Sequence, residues 1–295
     1  QALASLYLDG VDMAFSTGNY TLAESFMSEV RRLVPDKDPG PLGLRRAMEE
    51  ARFGRRAERF DAAERWGGRA VSLAERQENR PLLGAALRNL GAILMERQDL
   101  ERARDLFLEA RAVQEEAAGI KEVANTVNHL GECARRMGDL DEAERRYTEA
   151  IRLYDRAGAA PKAHLPRLNL ALVYSQLGRH GEAFVPLTEA LAMAESQGNT
   201  TFALVARVML MPACAAMGDW AGWNLQIERI NAARAELTAL EPDLAATLRR
   251  GVELALRARR VNEAKEALDL CLCMYDRLTD DVGYREAREL LEGLG

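Results

Sequence analysis

Small and apolar residues return along this chain at an interval of 40. The turn-plus-helix phrases Gly18-Asn19-Tyr20-Thr21-Leu22-Ala23, Gln98-Asp99-Leu100-Glu101-Arg102-Ala103, Gly138-Asp139-Leu140-Asp141-Glu142-Ala143 and Gly178-Arg179-His180-Gly181-Glu182-Ala183 set their alanines 40 or 80 residues apart. Ala63, after Arg59-Phe60-Asp61-Ala62, supplies the missing member. A repeat of this length is a supersecondary unit that buries its apolar face only against its neighbours.

Upstream of each turn lies a second small slot, Gly91 after Leu90, Gly131 after Leu130 and Ala171 after Leu170, again 40 apart. Two helices cross there, because small residues on both sides let their backbones approach. Downstream, Phe107, Tyr147 and Leu187 with Ala110, Ala150 and Ala190 continue one apolar stripe at helical spacing. Each turn opens on Gly or a polar residue, where the first helix must stop. Every unit is therefore predicted to be a helical hairpin.

The order Leu90, Gly91, Leu94, Ala103, Phe107, Ala110, repeated as Leu130, Gly131, Ala143, Tyr147, Ala150, resembles the tetratricopeptide repeat (TPR) family. The resemblance implies an all-α, right-handed superhelical solenoid of about seven hairpins, starting near 4, 44, 84, 124, 164, 204 and 245. In the last unit Ala264 stands one residue late, and residues 279–295 read as a polar capping helix with N-cap oxygens from Thr279, Asp280 and Asp281. A period of 40 against the family's usual 34 means longer helices, as in the long-repeat members found in signalling adaptors and bacterial regulators. One continuous array over 1–295 is expected, cut from something longer because it begins at Gln1 inside a helical pattern.

The period frays in two places. Met211 and Trp223 occupy the small slots of the sixth unit, Pro212 falls inside its first helix, and Pro186 falls in the second helix of the unit before; interior prolines should kink both. Gly54, Gly67 and Gly68 in the second unit predict loose helices there. Met193, Met209, Met217 and Trp220 gather around the two prolines, the composition of a soft gap-filling core and also of an adaptable surface.

Composition narrows the partners. Lys and Arg number 40 against 46 Asp and Glu, a net charge of −6, which is the wrong sign for neutralising phosphates, so nucleic acid is not an expected partner. Only Lys37, Lys121, Lys162 and Lys265 are lysines, an arginine bias that reads as the base composition of GC-rich bacterial DNA. With 48% hydrophobic residues, a mean hydropathy of −0.26, four scattered cysteines, no signal segment and no run near 18 apolar residues, a cytoplasmic protein without a membrane partner is expected.

Catalytic or metal chemistry is not expected either. His129 and Cys133, one turn apart, make half a zinc site that no second pair completes. Cys271 and Cys273 point to different faces of a helix, His164 and His180 have no partner at helical spacing, and no phosphate-binding loop, Gly-x-Ser-x-Gly or His-Glu-x-x-His occurs. No cofactor is implied.

In TPR arrays the first helix of each hairpin lines the concave groove. Carried onto this chain, those slots are Asp12; Arg45, Arg52, Arg55 and Arg56; Arg88; Asn125, Asn128, Glu132 and Arg135; Leu165, Leu168 and Leu172; and Val205 and Val208. The series runs from basic through amide to apolar, suiting a partner segment whose acidic part meets the arginines and whose apolar anchor meets the leucines. The bland alternative is intrahelical pairing, such as Arg45 with Glu49, worth about 0.3 kcal/mol. The chaperone-tail carboxylate clamp of some TPR domains needs Lys or Arg followed one turn later by Asn, whereas here Ala92 follows Arg88 and Glu132 follows Asn128. The expected function is protein or peptide binding as the scaffold or regulatory part of a bacterial signalling protein. The alternatives are a peptide or small-effector sensor of a transcription regulator, and a homodimer formed through the Met/Trp region.

Overall fold

The computed structural model describes residues 1–117, 119–233 and 242–294; Gly295, the last residue of the expected cap, lies outside them. Among the described residues all regular structure is helical, and the chain divides after Asp139 into two compact units. The first holds α1 (Ala2–Ser16), α2 (Tyr20–Leu33), α3 (Pro41–Arg56), α4 (Phe60–Arg76), α5 (Arg80–Glu96), α6 (Leu100–Glu116) and α7 (Ile120–Arg136). The second holds α8 (Leu140–Arg156), α9 (His164–Gln176), α10 (Phe184–Ser196), α11 (Thr200–Met217), α12 (Trp220–Ala232), α13 (Pro242–Arg257), α14 (Val261–Leu278) and the capping helix α15 (Asp281–Glu292). Within each unit most helices pack on the next in sequence, as α1 does on α2, α3 on α4, α5 on α6 and α13 on α14, whereas α13 itself packs on α11.

The turn chemistry beats twice per repeat. A left-handed residue stands at 18, 58, 78, 98, 138, 158, 178, 198 and 218, and there the chain leaves one helix for the next. The residue after it returns its N–H to a carbonyl five positions back, as Asp139 does to Ala134 at 2.9 Å and Arg59 to Gly54 at 2.8 Å, satisfying carbonyls that the helix end would strand. Gly138, at φ +83°, takes this conformation freely, whereas Glu58, Glu78 and Gln98 hold it against their own side chains. The following helix is then capped where the sequence allows, with Asn19, Asn79 and Asn199 accepting from the N–H three residues on at 3.1, 3.2 and 3.1 Å.

The predicted stripes form the core. Ala23, Ala63, Ala103, Ala143, Phe107, Tyr147, Leu187, Ala110 and Ala150 are all fully buried. A Cβ on Gly91 would lie 2.8 Å from Phe107 Cε1, so the aromatic ring occupies the space this glycine vacates.

The irregular regions differ from expectation. The second repeat is close-packed rather than loose: a Cβ at Gly54 would sit 3.1 Å from the Ala63 backbone nitrogen, and one at Gly67 would sit 2.9 Å from Leu90 Cδ1. Only Gly68 of the three faces open space. Pro186 does not break a helix interior. It sits in the first turn of α10, preceded by a 3-10 turn at His180–Ala183, and Pro166 stands in the same relation to the 3-10 turn Ala160–Ala163 before α9. A proline offers no N–H to the carbonyl four residues back, so in both places the opening turn tightens.

Helix α11 runs unbroken through Pro212. Pro212 and Trp223 are buried against α13, where a Cβ on Gly251 would lie 3.3 Å from each. The large residues of this repeat thus pack a close approach between α11 and α13. Met209 and Met211 are also core, while Met217 is 57% exposed. Contrary to the expectation that no segment is long and apolar enough to span a membrane, α11 passes that test over 18 residues, but most of it is buried within the second unit.

Candidate functional site

The arginines that the sequence singles out converge in the first unit. Odd-numbered helices supply them, each repeat bringing its residues to the same face as the one 40 positions earlier. Arg52 reaches Asp12 at 2.8 Å, exactly one repeat back in register, and Arg45 donates to Ser5 Oγ at 3.2 Å and pairs with Asp9 at 2.7 Å. Arg55 pairs forward with Glu96 at 3.1 Å. Arg45 therefore pairs across helices with α1 rather than with Glu49 on its own helix, so the bland intrahelical reading fails for this residue.

Between these side chains lies a cavity of about 340 Å³, lined by Asp12, Arg45, Glu49, Arg52, Arg55 and Arg88 with an apolar floor from Met48, Leu82 and Ile93. Four guanidinium groups face two carboxylates there. Glu49, missed as a site residue, is buried. Burial pushes its carboxyl up to about 7, Asp12 adds to the rise, and the ion pair with Arg52 at 3.2 Å opposes it. A buried carboxyl near neutrality inside an arginine cluster makes the charge of the cavity depend on pH. The signal for it was present in the sequence as an acid three residues before Arg52, but only burial distinguishes it from a solvated helix pair.

A second cavity of about 450 Å³ shares Arg52 and Arg55 with the first and adds Phe15, Tyr20, Arg56, Phe60 and Arg136. Arg136 was not among the expected groove residues; it donates to Glu132 at 2.7 Å and to the Met95 carbonyl at 3.4 Å. Glu132 is committed as well: burial raises its carboxyl, but Arg135 and Arg136 outweigh that and hold it below the usual range. Asn125 is half-buried and Asn128 buried. In the second unit Leu165 is 41% exposed, Leu168 and Val208 belong to the core, and Leu172 and Val205 pack against it.

The titratable pairs have packing roles. His129 stacks on Phe107 with centroids 5.2 Å apart, and burial, with Arg88 and Arg55 nearby, lowers its pKa to about 3. Cys133 donates its thiol to the Leu100 carbonyl at 3.1 Å, and burial pushes that thiol up. Cys271 is buried, its thiol pushed up to about 12, while Cys273 is half-buried; neither forms a disulfide.

Known proteins align with this arrangement. Family models described as tetratricopeptide repeat match residues 83–121 and 122–196. No curated protein matches the sequence. Among solved structures, a Rap protein complexed with competence and sporulation factor aligns over 99% of this chain and 74% of its own at a TM-score of 0.65 and 13% identity. A signal transduction ATPase with a tetratricopeptide repeat sensor from Pyrococcus horikoshii aligns over 98% of this chain and 44% of its own, at 0.72 and 16%. The Rap conjugation gene regulator of plasmid pLS20, in complex with the Phr* peptide, aligns over 88% and 75%, at 0.61 and 16%. At such identities the likeness concerns the fold.

Proposed function

We propose that this chain, which carries tetratricopeptide repeats over residues 83–196, is a non-catalytic, cytoplasmic binding module of a bacterial signalling protein that holds an acidic segment of a partner in the groove lined by α3 and α5. The observation that carries this reading is the cavity of about 340 Å³ whose lining brings together Arg45, Arg52, Arg55 and Arg88 with the two carboxylates of Asp12 and Glu49. Guanidinium forks pair carboxylates in a defined geometry, and a partly desolvated cavity makes such pairs stronger than surface ones. Two of the aligned structures were solved with a bound factor or peptide, which agrees with a peptide as the ligand.

A fluorescein-labelled peptide of alternating Asp and Glu, followed by anisotropy at low salt, tests the proposal. Arg55→Gln combined with Arg88→Gln is expected to weaken binding at least tenfold, since a hydrogen bond to a charged group contributes about 1.5–3 kcal/mol. Glutamine is the better substitution than glutamate here, because reversal of a charge beside Asp12 and Glu49 would itself disturb the fold. Unchanged affinity overturns the reading. The size of the cavity also suits a small effector, since such sites begin near 300 Å³; an acidic amino acid that competes fully with the peptide would favour that second reading.

A further inference from the structure

The second cavity has features that an acidic groove does not require. Its lining includes three aromatic rings, Phe15 edge-on to Tyr20 at 5.6 Å and Phe60, beside the arginines and the carboxylates of Glu58 and Glu96. Arg52 lies over Phe15 at 4.0 Å, and Arg56 lies over Tyr20 at 3.2 Å from the ring centroid. Its arginines differ in what holds them. Arg52 is paired with Asp12 and Glu49, Arg55 with Glu96 and Arg136 with Glu132. Arg56 forms no ion pair among the described residues and is exposed. As a basic residue in the last turn of α3 it suits the helix dipole, but that role asks nothing of Tyr20 or of a cavity.

A guanidinium laid flat on one ring presents its N–H edge to an anion and its other face to a second ring. We infer that this cavity is a subsite for an aromatic residue of an acidic peptide, the ring entering against Arg56, Tyr20 and Phe15 and a neighbouring carboxylate meeting the edge of Arg56. The two cavities share Arg52 and Arg55, so one extended segment reaches both, its carboxylates in the first and its ring in the second. The inference rests on the acidic-segment reading for the rest of the ligand and adds to it a side-chain preference that charge alone does not create.

The full chain is titrated with three labelled peptides, Asp-Glu-Asp-Phe-Glu-Asp and its versions with Leu or Ala in place of Phe. Binding is expected to be about tenfold tighter for Phe than for Ala, with Leu between, as ring stacking on an arginine and two aromatic walls implies. Arg56→Gln and Tyr20→Ala should each erase the preference for Phe while the Ala peptide still binds. Arg88→Gln should weaken all three peptides alike and leave the preference intact. Circular dichroism of each variant, at Tyr20 and Arg56, which are exposed, and at Arg88, which is half-buried, checks that the helices remain. Equal binding of the three peptides by the unaltered protein, or a Phe preference that survives Arg56→Gln and Tyr20→Ala, overturns the subsite alone. A Phe preference with no effect of Arg88→Gln overturns the acidic groove instead, and binding of none of the peptides overturns both.

Discussion

Phe107→Ala is expected to lower the stability of the protein by about 3–5 kcal/mol, the cost of emptying a fully enclosed aromatic site. Phe107 has no exposed surface and packs with Leu94, Ala103, Leu130 and Cys133 while stacking on His129. The neighbouring Leu108, 43% exposed, provides the contrast: its replacement by Ala should stay within about 0.5 kcal/mol. Urea denaturation of the two variants side by side makes the comparison, and equal losses would contradict the assignment of the stripe. Gly91→Ala complements the test, because its new Cβ would lie 2.8 Å from the Phe107 ring and cost about 1–3 kcal/mol by overpacking. Adding Phe107→Leu to Gly91→Ala should cost less than the two changes separately, since the residues share one space.

The second large effect is a dependence on pH through Glu49. Its carboxyl rises from 4.5 to about 7 on folding, so between those values the folded chain holds a proton that the unfolded chain has lost. Stability then falls as pH rises through that window, by about 3 kcal/mol for a shift of this size. The dominant cause is burial, with Asp12 adding to it and Arg52 and Arg45 opposing it. Glu49→Gln removes the proton equilibrium, so its melting temperature should change less than the natural protein's between pH 5 and pH 8, with the variant gaining most at the upper end. Parallel pH profiles for the two would show that Glu49 is solvated. The same proton adds positive charge to the cavity, so an acidic peptide should bind several-fold tighter at pH 6 than at pH 8, and Glu49→Gln should lose that difference.

The repeat was legible because helix and turn chemistry are local. Alanines at 63, 103 and 143 and glycines at 18, 138 and 178 declare hairpin crossings and helix ends without reference to any distant residue. Non-glycine ends such as Glu58 and Gln98 are legible only by their register, since their own side chains argue against a left-handed turn. Gly54 and Gly67 misled for the complementary reason: a glycine inside a helix costs backbone entropy wherever it stands, and only the partner across the interface, Ala63 or Leu90, shows what that cost secures. Pro186 misled because its place in the helix, interior or first turn, depends on where the helix begins.

The candidate site divides in the same way. The sequence alone determined which positions of α3 and α5 carry arginine and, through the 40-residue period, that they share a face. Tertiary structure decided their charge state and their neighbours: that Arg45 and Arg52 answer to Asp9 and Asp12 of another helix, that Glu49 is buried among them, and that Arg56 lies on Tyr20. Periodicity is a property of the chain and survives in the letters. Electrostatics depends on distance and burial, and residues 40 positions apart acquire both only when the helices stack.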